Sequence, residues 1–139
     1  MNHQFTSMKT YDLKERFMAF AVNAAKATEH FPNKKLYWIV TDQLIRCSSS
    51  SASNHRAAKR AKSSRDFINK LKIVEEELDE TMFWTEYTMR VNDQLSALLL
   101  PIENEADELL AITVQSIKTA RQNALLQLKS GSQKMKDRK

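Results

Sequence analysis

Residues 34–62 read KKLYWIVTDQLIRCSSSSASNHRAAKRAK, and their spacing decides the fold. Tyr37, Val40, Leu44, Cys47, Ser51, Asn54, Ala58 and Ala61 recur at alternating steps of three and four. That is the heptad spacing of a helix seam packed against other helices. The phase passes through Ser48–Ser53 without a slip, which a flexible serine linker would not need to maintain. The run is therefore expected to be helical. Serine is only a moderate helix former, so packing must hold it, with hydroxyls bonding back to carbonyls one turn earlier. Cys47, among small residues on the seam, reads as a buried structural thiol, because reactive thiols sit in accessible electropositive sites. Asn54 reads as a buried amide that sets register or partner number.

The helical period continues on both sides of this stretch. Before it, Leu13, Phe17, Phe20, Ala24 and Ala27 share one face of a helix over about 9–30. Phe31-Pro32-Asn33 ends that helix, since proline lacks an N–H and disfavours helix in the residue before it. After it, Ser63-Ser64 makes a turn; Ser63 is placed to cap a helix, with Asp66 three residues on. The third helix spans about 64–91, with Phe67, Leu71, Val74, Leu78, Thr81 and Thr85 on its seam. Ile68, Met82, Phe83, Trp84 and Tyr87 widen its apolar face, and Trp84 joins Asn54 as a structural, register-setting position. Asn92-Asp93-Gln94 is the third turn. The fourth helix covers about 97–128, with Pro101 in its first turn or kinking it. It carries two stripes: Ile102, Ala106, Leu109, Thr113, Ser116, Ala120, and Leu110, Val114, Ile117, Ala124, Leu128. A second apolar flank on a small bundle is expected to be buried in a neighbouring subunit.

The expected fold is all-α, an antiparallel up-down-up-down four-helix bundle over residues 9–128. Residues 1–8 are expected to be flexible. The basic tail 129–139 is polar and unpatterned and is expected to be disordered. Composition agrees. The chain has 139 residues, enough for one domain, and a single glycine, Gly131, with two prolines. Sheet proteins need glycine in turns and bulges; helices on short loops do not. One cysteine makes no internal disulfide. No segment approaches the ~20 apolar residues of a membrane span. The N-terminal Met-Asn-His-Gln-Phe-Thr-Ser-Met lacks a cationic start followed by an apolar run, so no signal peptide is read there and the cytoplasm is the expected location.

Little in the sequence suggests catalysis. His3, His30 and His55 lie far apart, and none has a ligand partner at helical spacing. The acidic run Glu75-Glu76-Glu77-Leu78-Asp79-Glu80 lacks the Glu-x-x-His of a di-iron bundle site. It reads as a solvated face with one or two carboxylates in polar contacts. No phosphate loop, nucleotide fingerprint or zinc-protease motif is present. The expectation is a non-enzyme with no cofactor and no metal.

The charge pattern says more. The net charge is +5 and the pI about 9.4, compatible with a nucleic-acid or acidic partner. Arg56, Lys59, Arg60, Lys62, Arg65, Lys70 and Lys72 surround the turn between the second and third helices, opposed only by Asp66. One reading is a solvated helix end, or salt bridges between subunits. The other is contact with a phosphate backbone, which would be salt-sensitive. No aromatic residue is interleaved in the cluster, which argues against base stacking and leaves backbone or shape recognition of RNA.

The stretch Gln43–Trp84 resembles the 23S ribosomal RNA intervening-sequence protein family, also called the four-helix-bundle protein family. The resemblance is carried by Gln43-Leu44-Ile45-Arg46-Cys47-Ser48-Ser49-Ser50, Asn54, Ala58-Lys59-Arg60-Ala61-Lys62-Ser63, Asp66-Phe67-Ile68-Asn69-Lys70-Leu71 and Glu77-Leu78-Asp79-Glu80-Thr81-Met82-Phe83-Trp84. A looser match runs from about Met8 to Asn123. Ala57 stands where the family often has Glu, and His55 where an aromatic is common, so a Glu-dependent contact of the family is not carried over. The resemblance implies a four-helix bundle assembled as a ring-like homopentamer, in a family whose biochemical role is largely unassigned. A related fold serves as an accessory protein of diversity-generating retroelements, where it binds nucleic acid and a reverse transcriptase. The expected partners are therefore further copies of the chain, RNA or DNA, and a protein such as a reverse transcriptase. The expected function is a nucleic-acid-binding accessory protein; the alternative is a protein-interaction scaffold without nucleic-acid affinity.

Overall fold

Asp12 opens the first helix: its side chain accepts from the Glu15 N–H at 3.1 Å, satisfying one of the free donors of the first turn. The computed structural model describes residues 12–138, so the readings for residues 1–11 and for Lys139 lie outside the described residues. Four α-helices follow: α1 Leu13–Thr28, α2 Lys35–Lys59, α3 Ser64–Val91 and α4 Ser96–Asp137. Among the described residues there is no strand. The architecture is all-α and consistent with a four-helix bundle. No described helix is long and apolar enough to cross a membrane.

The core draws on all four helices. Phe17, Phe20 and Ala24 of α1 meet Tyr37 and Leu44 of α2, Leu71, Val74 and Leu78 of α3, and Leu99, Ile102, Ala106 and Leu109 of α4. Between α2 and α3 the buried surface is small and polar. Cys47, Ser48, Ser51, Thr81 and Thr85 are fully buried. Their hydroxyls are satisfied within their own helices: Ser48 to Leu44 O at 2.7 Å, Ser51 to Ser48 O at 2.7 Å, Thr85 to Met82 O at 3.0 Å. The serine run is thus helical, its hydroxyls bonded as the sequence suggested. Ser63 accepts from Asp66 N–H at 3.1 Å and caps α3.

Three expectations need correction. Asn54 is not on the buried seam; it is half-exposed, and its amide donates to Ser50 O at 2.9 Å within α2. His55 is buried in its place. A straight helix drifts by about 20° per heptad against a strict 3.5-residue repeat, so the buried line moves to Leu44, Ser48, Ser51, His55 and Ala58.

The second correction concerns the tail. Residues 129–137 are not unstructured but continue α4 to Asp137. Lysine, glutamine, leucine and methionine propagate a helix once it is nucleated. Gly131 takes an ordinary helical backbone with no positive φ.

The third correction concerns only part of the second stripe of α4. Leu110 packs on this chain's own core and Ile117 is buried there, while Leu128 is exposed. The smaller boundary shifts have local causes. α2 stops at Lys59, where the Arg60 N–H bonds Ala57 O and Ala58 O. The expected third turn contains a short 3-10 helix, Asp93–Leu95, capped by the Asn92 side chain. Pro101 lies in the second turn of α4, leaving Ala97 O without its usual donor.

Candidate nucleic-acid interface

The turn from α2 to α3 needs only residues 60–63, so the last turn of one helix and the first turns of the next present their charges together. Arg56, Lys59 and Arg60 are exposed at the end of α2. Lys62, Arg65 and Lys72 are exposed in the turn and along α3, and Lys70 is half-buried. Among the described residues, none of these seven forms an ion pair. Part of the arrangement serves the fold. Arg56 and Lys59 lie in the last turn of α2, where cations offset the negative end of the helix dipole, and Asp66 complements the N-terminus of α3.

Two arginines elsewhere on the bundle are paired across helices, whereas Lys14, Lys26, Lys34 and Lys35, like the turn, form no ion pair among the described residues. Arg46 reaches Glu77 at 3.1 Å and Glu80 at 2.5 Å, linking α2 to α3. Two members of the acidic run are thus held in polar contacts, as the sequence reading anticipated. Arg16 forks onto Glu105 at 2.6 Å and also pairs with Glu108, linking α1 to α4. In both cases the carboxylates raise the guanidinium pKa, led by the side-chain hydrogen bond. Arg16 and Arg46 are thus engaged between helices, while six of the seven cations around the α2–α3 turn are exposed to solvent.

α4 passes beside this turn. Ser64, Arg65, Ile68 and Asn69 face Ala124, Gln127 and Leu128 across a hollow of about 480 Å³. The basic turn therefore adjoins the start of the exposed part of α4.

His55 lies one turn inside the basic end. Its ring stacks on Phe17, centroids 4.3 Å apart and planes at 16°, so it occupies an aromatic slot in the core. Burial, and then the charge of Lys59, lower its pKa to about 4. It is neutral at pH 7, and its Nδ1 has no partner among the described residues. Cys47 is fully buried; desolvation pushes its thiol pKa up, partly offset by Thr81, whose Oγ1 lies 3.1 Å away. No described group of three or more His, Cys, Asp or Glu converges as a metal site would require.

Trp84 sits at the far end of the α2–α3 pair. It is half-buried against the core, edge-on to Phe83 and Tyr87 at 5.0 and 5.6 Å, and its Nε1 has no partner among the described residues. Ile39, Phe83 and Tyr87 are exposed and border, with Trp84, a depression of about 370 Å³; Trp38, next to Ile39 in α2, is exposed as well. The breadth of the α3 apolar face signalled half of this patch. Trp38 and Ile39 flank the α2 seam and gave no such signal, because consecutive large apolar residues at a helix start fit a buried end equally well.

The family profile described as 23S rRNA-intervening sequence protein matches residues 9–115. Among solved structures, the chain is similar to a protein of unknown function from the S23 ribosomal protein family of Bacteroides thetaiotaomicron VPI-5482. The two are 30% identical with a TM-score of 0.70, over 76% of this chain and 97% of that one. No curated protein matches the chain. The helical seams, the capped α2–α3 turn and a match over most of the chain lead to one conclusion: the chain belongs to the 23S rRNA-intervening sequence protein family.

Proposed function

We propose that this protein is a non-catalytic, cytoplasmic RNA-binding accessory protein, built as an antiparallel up-down-up-down bundle and working as a homo-oligomer. The observation that carries the reading is the α2–α3 turn, where seven cations gather without an ion pair among the described residues. Phosphate oxygens are the natural counter-charge for such a surface, and each contact releases counterions. The absence of interleaved aromatics favours backbone contact over base stacking. Arg56→Glu/Lys59→Glu/Arg60→Glu is expected to lower affinity for a structured RNA by about 100-fold or more at physiological salt, with the helical signal unchanged. Binding that survives this reversal intact would place the contact elsewhere.

The family resemblance implies a ring-like homopentamer. Trp38, Ile39, Phe83 and Tyr87 supply exposed apolar surface of the kind that subunit contacts bury. A scaffold whose partners are proteins alone, a reverse transcriptase among the candidates, is favoured by the same patch. It predicts a stable oligomer with no RNA affinity at physiological salt.

A further inference from the structure

The charges of the chain divide sharply at the end of the α4 core stripe. Through Ile117 the sequence has fifteen Lys and Arg against sixteen Asp and Glu, a net of −1. From Lys118 to Lys139 it has seven against one, a net of +6. The two parts sum to the +5 of the whole chain. The excess positive charge thus lies entirely in the last segment, and the rest is nearly neutral.

That segment is a helical arm. α4 continues from its last buried residue, Ile117, to Asp137, a reach of roughly 30 Å at 1.5 Å per residue. Beyond Ile117 only Ala120 and Ala124 are half-buried; the other described residues are exposed. The family match covers residues 9–115, so the arm lies outside it. It leaves the bundle beside the basic turn, where Ala124, Gln127 and Leu128 border Ser64, Arg65 and Ile68.

We propose that this arm is a second nucleic-acid contact, forming with the α2–α3 turn one continuous surface that follows a phosphate backbone. The proposal rests on the RNA-binding reading above and extends it to residues outside the family match. Lys118, Arg121, Lys129, Lys134, Lys136 and Arg138 are its phosphate ligands. At roughly 100° per residue Lys118, Arg121, Lys129 and Lys136 share one side of the helix and Lys134 and Arg138 the opposite side, which suits sequence-independent contact with strands on two sides.

Two other occupants fit less well. A second arm would bring like charges together along its length. A membrane surface requires one apolar face. Leu125, Leu126, Leu128 and Met135 instead spread over about half the circumference at roughly 100° per residue. Lys118, Lys129 and Lys136 fall between Leu125 and Leu126.

The test uses the full chain and a fluorescent RNA hairpin, titrated at several salt concentrations. Lys129→Gln/Lys134→Gln/Lys136→Gln changes only exposed positions and keeps good helix formers there. It is expected to flatten the plot of log affinity against log salt by about two to three, near one per lost contact. Circular dichroism checks that the helix persists. An unchanged slope and affinity for this variant, alongside loss of binding in the Arg56/Lys59/Arg60 reversal, overturns the arm contact and leaves the RNA-binding reading standing. Loss in the arm variant with none in the turn reversal supports the arm and removes the turn. No binding by the unaltered protein even at low salt overturns both. Unchanged RNA binding together with arm-dependent binding to phosphatidylserine vesicles assigns the arm to a lipid surface and overturns the proposal.

Discussion

The two ends of the α2–α3 pair are opposites. At one end Trp38, Ile39, Phe83 and Tyr87 expose aromatic and aliphatic surface beside a half-buried Trp84. At the other, Arg56, Lys59, Arg60, Lys62 and Arg65 expose charge, with no apolar side chain in the immediate turn larger than Ala61. Both ends are held by the same interior, a narrow seam of Leu44, Cys47, Ser48 and Ser51 against Val74, Leu78 and Thr81. The physics at each end differs. Apolar surface gains by leaving water and is not screened by salt; a cationic cluster gains by displacing counterions and is weakened by salt. One rigid helix pair can therefore carry two independent contacts, one suited to protein and one to a polyanion.

The interior should be the most sensitive point, because both ends depend on it. Leu78→Ala removes a fully buried side chain and is expected to cost roughly 2–5 kcal/mol, read by denaturant unfolding. A loss below about 1 kcal/mol would mean that the seam collapses around the gap and that the ends are not rigidly coupled.

Acid should act next, and from the basic end. The His55 pKa falls to about 4 in the fold from an ordinary 6.5, so the unfolded chain binds a proton that the native state refuses. Its contribution is fully present above pH 6.5 and is lost as the pH falls toward 4, up to about 3 kcal/mol in all. His55→Leu should flatten stability over that window. A variant that keeps the wild-type slope would assign the acid sensitivity to other groups.

The contrast between the ends is sharpened by crossing the readouts. Phe83→Lys changes a 54% exposed side chain, so subunit stability should move by no more than about 0.5 kcal/mol. If the aromatic end joins subunits, the native mass should drop while the salt dependence of RNA binding per subunit stays the same. The reversal at Arg56, Lys59 and Arg60 should do the opposite. A single variant that moves both readouts would show that the ends are one interface.

At Asn54 neither assembly nor RNA binding is expected to change. Its amide is satisfied within α2, by Ser50 O at 2.9 Å and Ser50 Oγ at 3.1 Å. Asn54→Leu should shift stability by less than about 1 kcal/mol and leave the native mass unchanged. A changed mass would restore the register role that the heptad reading assigned to it.

How much of this was legible beforehand follows from the range of the forces involved. Helix identity is a local property. The periods around Leu44, Leu71 and Leu109, the near-absence of glycine, the Ser63 cap and the basic turn all lie within a few residues of sequence, and the structure has each of them. The family resemblance rested on the same central stretch and was confirmed over residues 9–115. Three things were not local. Choosing His55 over Asn54 for the core depended on the drift of a straight helix and on Phe17, 38 positions upstream, offering a ring to stack on. Pairing Arg46 with Glu77 and Glu80, and Arg16 with Glu105, required knowing which faces meet. The continuation of α4 beyond Leu128 required weighing helix propagation against a composition that resembles a disordered tail. Sequence by itself determined that four helices form and where the surplus charge lies, because both depend on residue type and spacing. Only the tertiary structure decided which charges cancel and which side chains share the core. Burial and pairing act between residues that meet only when the helices pack.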